Sequence, residues 1–392
     1  MTKLINLTDQ TPAIPSLSAL RHRWWLALGF FILAGSTGAW LRFGITTGFP
    51  WGLQYTSIRH AHSHLMYFGW ATPALMTLIL TSLARIAPRP LPRAFRPILD
   101  YTFIAAGLAY VAFLLFGYRP APIGGNMLPL SVIAAGLNVV GWYAFIWQYV
   151  KYTRGAPRTL PLRLWDAALA FMGLASLGGW GLPLLTVLQI QDPLISMALT
   201  HLFLDTFADG WFVLAMLGVV YTAVPNAAAH PRARRSLDLM IIGLPVLFIL
   251  GIPTHLVSGP LRLIGSIGGL LVGLGLIGHL TVLWRRAAGW RLPLFFLGLK
   301  AITQLAVIVP AVATWAERGG LRVPYLHWLL LGFVTLGLVT AALGAEPQTV
   351  ARYRRWFLAA VVALQLTLLP LTQLWPAAWR GRWVLTAAAW GA

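Results

Sequence analysis

The sequence predicts an all-α integral membrane protein of eleven to twelve transmembrane helices, forming one domain over residues 1–392. Three observations predict it. Hydrophobic residues make up 58% of the 392 positions and charged residues only 10%, a balance foreign to soluble globules. Apolar stretches recur along the chain, each near the roughly 20 residues needed to cross ~30 Å of hydrocarbon. The basic residues gather in alternate connecting loops, the pattern by which membrane proteins set their orientation.

The elements follow in order. Residues 1–22 are polar at first, with Pro12 and Pro15, and read as a short cytoplasmic lead-in without a signal-peptide pattern. Eleven spans are expected at about 24–41, 62–84, 98–118, 126–150, 164–188, 194–224, 238–258, 261–284, 292–315, 323–345 and 356–375. A twelfth apolar piece, 383–392, is too short to cross as a regular helix. The period-two pattern of membrane strands is absent, so every span is read as a helix. No repeat and no long linker is apparent.

Twenty basic residues fall on the side of the N-terminus and eight on the other, while Lys300 lies inside the ninth span. That bias places the N-terminus in the cytoplasm and the chain in the cytoplasmic (inner) membrane. It also accounts for the net charge of +20 without nucleic acid. The 19 tryptophans include Trp24, Trp25, Trp284 and Trp356 at span ends, where they read as interfacial anchors. The chain has no cysteine, which excludes disulfides, thiolate metal sites, an attached c-type haem and cysteine-held copper or iron–sulfur centres.

Direction converts position into depth. His60, His62 and His64 fall at the outer end of the second span, His201 in the outer third of the sixth, His255 near the outer end of the seventh and His327 at the start of the tenth. Four helices thus bring histidine to one level near the outer face. A metal centre, a haem pair and a proton path are the arrangements that need several imidazoles. Residues four apart share a helix face and residues two apart do not. His60 and His64 therefore share one face of their helix and His62 takes the other. In the sixth span His201, Asp205 and Asp209 line one stripe. Two carboxylates below a histidine suggest a hard-ligand metal site, a proton route, or hydrogen bonds to neighbouring helices.

This pattern resembles the large catalytic subunit (subunit I) of the haem-copper oxidase superfamily, and within it the nitric oxide reductase branch. That twelve-helix bundle keeps its ligands on the second, sixth, seventh and tenth helices. His62 precedes Pro73-Ala74-Leu75 at the family's spacing, which implies His62 as a low-spin haem b ligand. HLFLDTFAD, from His201 to Asp209, matches the reductases' His-Leu-Trp-Val-Glu-Gly-Val-Trp-Glu with Asp for Glu. It implies His201 and Asp205 as ligands of a non-haem iron or copper and Asp209 as a neighbouring, proton-handling group. Tyr325, His327 and Gly332 stand where the family has His-x-His and a following glycine, so His327 is implied as the second axial ligand. The chain departs at two points. The family's His-His pair is Thr254-His255, and its high-spin haem ligand is Tyr325. His201, Asp205 and His255 remain as a three-ligand metal set, and a second haem rests on Tyr325. His62, His64, Phe68 and Gly69 also resemble the motif of a second family, the twelve-helix haem-copper proteins of the bacterial nitric oxide response.

Two functions follow from the resemblance. The first is an oxidoreductase that passes electrons from a quinol or a cytochrome subunit through the bis-histidine haem to the metal. There NO or O2 is reduced, with Asp205, Asp209 and Tyr325 at the reacting centre. The second is a non-catalytic membrane protein that binds, senses or delivers haem, copper or NO. Arg262, Arg318 and Arg322 lie on the same face, as loop arginines or as partners for haem propionates. Membrane lipid is the partner in either case.

Overall fold

Long apolar segments in a medium without water must satisfy every backbone group internally, and helices do so. The computed structural model describes residues 17–86, 90–343, 347–379 and 381–391, and it is helical nearly throughout. α1 (Leu17–Thr47) is followed by α2 (Tyr55–His64), which runs through a π-helical segment, π1 (Leu65–Ala71), into α3 (Thr72–Ile86). α4 (Phe95–Phe116) and α5 (Leu130–Thr153) flank a hairpin of β1 (Ala121–Ile123) and β2 (Asn126–Leu128). α6 (Leu160–Val187) precedes α7 (Pro193–Asp205), π2 (Thr206–Val213) and α8 (Leu214–Ala223). A short α9 (Pro225–Ala228) leads to α10 (Pro231–Leu247) and α11 (Gly259–Arg286). Then come α12 (Arg291–Ala306), α13 (Pro310–Arg318), α14 (Arg322–His327), π3 (Trp328–Thr335), α15 (Leu336–Leu343), α16 (Pro347–Leu368) and α17 (Arg382–Trp390).

The chain is an all-α, multi-pass membrane protein. Among the described residues eight helices are long and apolar enough to cross, or nine if one bent pair counts as a span. That is fewer than the eleven expected, for local reasons. The ninth expected span breaks between α12 and α13, which diverge by 115°. Pro310 opens α13 and has no N–H to continue α12, and Val309 before it is extended. The seventh expected span is α10, only 17 residues long, its first turns spent on Arg232, Arg234 and Arg235. The eleventh shortens to an apolar stretch at Arg355–Leu371. Of the expected lead-in, residues 17–22 are already helix, and 1–16 lie outside the described residues. The hairpin was not expected, although Gly124-Gly125, with φ of +56° and +82°, is a strong two-residue turn signal.

Three spans carry a π-helical segment, and the three are built alike. Thr72 N–H donates to Tyr67 O and Leu336 N–H to Leu331 O, five residues back. Glycine is the fifth residue of each segment: Gly69, Gly210 and Gly332. A phenylalanine ring fills the space where each glycine lacks a Cβ: Phe30 of α1 on Gly69, Phe171 of α6 on Gly210 and Phe296 of α12 on Gly332. Each ring comes from an earlier helix that lies against the π segment. This threefold recurrence escaped the sequence reading because a lone Phe and a lone Gly are its whole signature. The segments are also tied together. Trp70 Nε1 donates to Thr335 Oγ1 at 2.9 Å, and Trp211 Nε1 to Thr72 Oγ1 at 3.3 Å. These indoles serve helix–helix contact. The largest buried side chains, among them Trp70, Trp142, Trp211, Phe207 and Phe333, gather around these segments. π segments cost helical regularity and occur mostly at functional sites. His62, His201 and His327 each stand within the last turn or so before one.

Candidate haem site and the adjoining ion-pair cluster

α2 and α14 bring His62 and His327 together. Their ring centroids are 6.5 Å apart and the planes lie within 14° of parallel. Stacked rings would be closer. Two imidazoles that bind one iron through Nε2 at roughly 2 Å, as imidazole binds other metals, leave ring centres about 6 Å apart. The tautomers agree with that use. His62 Nδ1 lies 2.8 Å from Ala34 O on α1, and His327 Nδ1 lies 2.8 Å from Val323 O. A carbonyl only accepts, so both Nδ1 atoms carry the proton and both Nε2 atoms keep a free lone pair.

Room for the pair comes from α1. A Cβ on Gly38 would sit 2.8 Å from Cε1 of His62, while one on Gly35 would meet nothing. Both histidines line a cavity of about 1710 Å³, walled by Phe31, Leu326, Phe357 and Val361 among others. Most small-ligand sites hold roughly 300–1,000 Å³, so the cavity, which also runs past His60 and His64, exceeds the usual size. Arg42 also lines it. One of its guanidinium nitrogens donates to Thr367 O, while Nη1 is buried without a partner. A carboxylate of an acidic ligand is the natural complement. The residues present therefore fit a bis-histidine haem.

His60 and His64 occupy the other face of α2, as helical spacing requires. His64 stacks on Phe113 at 4.0 Å, and His60 meets Tyr118 edge-on at 4.6 Å.

A second polar cluster lies beside this site. His201 Nδ1 donates to Asp205 Oδ2 at 2.8 Å, and Arg322 Nη2 donates to Asp205 Oδ1 at 2.8 Å. Arg322 Nη1 stands 3.1 Å from His201 Nδ1. Deeper in the same span, Asp209 Oδ2 accepts from Lys300 Nζ at 2.9 Å, and Lys300 also donates to Gln304 Oε1 at 2.6 Å. Lys300 is wholly buried, its ammonium 5.8 Å from the ring centre of Tyr325. Two carboxylates are thus balanced by two cations.

The expected metal set is not gathered. His201 and Asp205 meet, but His255 is exposed on the loop that follows α10 and its terminal turn. What that turn presents to the pair is Gly251, where a Cβ would collide with both Asp205 Oδ2 and His201 Nδ1. Both oxygens of Asp205 are already engaged, and a guanidinium and an ammonium lie where a metal's charge would go. The residues present do not fit a non-haem metal held by this trio. Tyr325 packs between Lys300 and Trp328.

The sequence singles out both facing histidines, His62 and His327, but not Arg42 or Gly38, and it does not pair Lys300 with Asp209. Arg42 at a span end carries a topology signal that hides a second role, Lys300 inside its span meets a partner from a distant span, and Gly38 is one of 38 glycines. Arg262, a propionate candidate, donates to Val307 O at 3.2 Å and keeps Nε and Nη1 buried without a partner, but it does not line the cavity of His62 and His327, and Arg322 is committed to Asp205. No family model matches the chain, and no curated protein matches it.

Proposed function

We propose that the chain is a multi-pass haem protein of the cytoplasmic membrane that holds one low-spin b-type haem between His62 and His327. The single observation that carries the reading is the pair of near-parallel imidazoles with ring centres 6.5 Å apart, each fixed by its own Nδ1 hydrogen bond. A b-type haem held there supplies a reversible one-electron couple. With both His62 and His327 as ligands such a haem would have no free position for a gas, so the pair suits electron transfer. Ala34 O and Val323 O set the ring orientations. Arg42 offers a buried donor to a propionate, and Phe31, Phe357 and Val361 give the cavity an apolar wall. With no cysteine in the chain, electrons come from a quinol or from a cytochrome subunit. The distribution of basic residues supports an N-terminus in the cytoplasm, with His62 and His327 toward the outer face.

The arrangement follows haem-copper oxidase subunit I at the low-spin haem and departs from it at the metal. Reduction of NO or O2 at a non-haem metal is the weaker reading, because Arg322 and Lys300 already neutralise the two carboxylates. We therefore favour a haem protein that carries electrons or presents haem over a gas reductase. The test is an optical spectrum with haem quantification on the purified chain. One low-spin b haem per chain is expected, lost in His62→Ala and in His327→Ala. Haem retained at full occupancy in both variants would overturn the reading.

A further inference from the structure

A second cavity, of about 930 Å³, lies between α11 and α12 at the start of α10. It is at the end of the bundle remote from the histidine pair, since the α7–π2–α8 span separates His201 from this end. Its two halves differ in chemistry. One half is cationic and is formed by Arg232, Arg285 and Arg286 with His230. None of the three arginines forms an ion pair with another described residue. Among the described residues Arg232 donates to Thr281 Oγ1, at 3.5 Å, and Arg286 to Val282 O, at 3.2 Å. His230 accepts the Arg232 backbone N–H at its Nδ1, so its Nε2 carries a proton and adds a donor.

The other half is an apolar trough. Phe295, Gly298, Leu299 and Ile302 form one stripe along α12, and Leu280 and Trp284 face it from α11. Phe295 is 50% exposed and Ile302 65% exposed, which is ordinary for side chains that meet acyl chains and not for a site filled by protein. A Cβ on Gly298 would meet only Leu280 Cδ1, at 3.8 Å, so the floor of the trough is open at that point.

We propose that this groove binds one anionic phospholipid. Its phosphate lies among Arg232, Arg285 and Arg286, and an acyl chain follows the Phe295–Ile302 stripe. Basic pockets between membrane helices recognise anionic headgroups, and an unpaired guanidinium is the natural donor to phosphate oxygens. A free inorganic anion would satisfy the arginines and leave the trough without purpose. A zwitterionic lipid would use the trough and leave the net charge unbalanced.

The experiment is native mass spectrometry of the delipidated protein titrated in detergent with phosphatidylglycerol or phosphatidylcholine. Phosphatidylglycerol is expected to bind first as a single molecule, with a preference on the order of a hundredfold from three basic residues. Arg232→Gln/Arg285→Gln/Arg286→Gln is expected to abolish that preference, and Arg234→Gln/Arg235→Gln, exposed nearby but outside the groove, to keep it. Gly298→Leu leaves the charge intact and is expected to weaken phosphatidylglycerol by roughly tenfold by filling the trough. That variant is decisive if the triple variant does not fold. Equal binding of both lipids, equal loss in the control variant, no effect of Gly298→Leu, or displacement by inorganic phosphate would each overturn the proposal. None of these readouts depends on haem.

Discussion

His62 and Gly38 act as a unit, although one of them has no side chain. The imidazole fits against α1 only because a Cβ at 38 is missing. Gly38→Val is therefore expected to lower haem content at least severalfold while leaving helix content unchanged, as read by haem-to-protein ratio and circular dichroism. Lys300 and Asp209 make the second residue-scale case. Both are buried, so removing one leaves a bare charge. Lys300→Met alone is expected to cost about 3–5 kcal/mol, and Lys300→Met/Asp209→Leu to recover most of it. Thermal unfolding in detergent measures both. At this scale the sequence was legible where spacing decides. Four-residue periodicity separated His62 from His60 and His64, and the rings do occupy opposite faces. It was illegible where partners come from distant segments. Nothing in the residues around 322 announces a partner at 205, and nothing around 300 announces one at 209.

At the scale of elements, the three π segments tie the spans to one another. Each glycine receives a ring from an earlier neighbouring helix, so the contact works only if both members keep their size. Gly210→Ala is expected to destabilise by about 1–3 kcal/mol through overpacking against Phe171. Gly210→Ala/Phe171→Leu is expected to recover part of that, a coupling that a double-mutant cycle on thermal stability measures. Helix existence was legible throughout, because length and apolarity decide it. The π segments were not, since an extra residue per turn changes no composition and leaves hydrophobic periodicity nearly intact. The break at Pro310 and the hairpin at Gly124-Gly125 were written in the sequence. Neither interrupts hydropathy strongly, so long apolar runs continue across both.

At the scale of the molecule, orientation and cofactor are the two properties open to direct test. The orientation rests on the basic-residue bias, and the absence of cysteine makes it directly testable. Met127 on the hairpin and Pro157 on the loop after α5 are both exposed and fall on opposite sides. Met127→Cys is expected to react with a membrane-impermeant maleimide in intact cells, and Pro157→Cys only after lysis. The reverse pattern would invert the assignment. The facing of His62 and His327 was legible from their positions on two spans, whereas the surroundings of His201 and Asp205 were not. The reason lies in Arg322, Lys300 and Gly251, which share no stretch of sequence with His201 and Asp205 but close around them in space. The cofactor claim is tested most directly by electron paramagnetic resonance of the oxidised, purified protein. Imidazole planes within 14° of parallel predict a rhombic low-spin ferric signal accounting for one haem per chain. A high-spin signal alone, or no haem signal at all, would contradict the account.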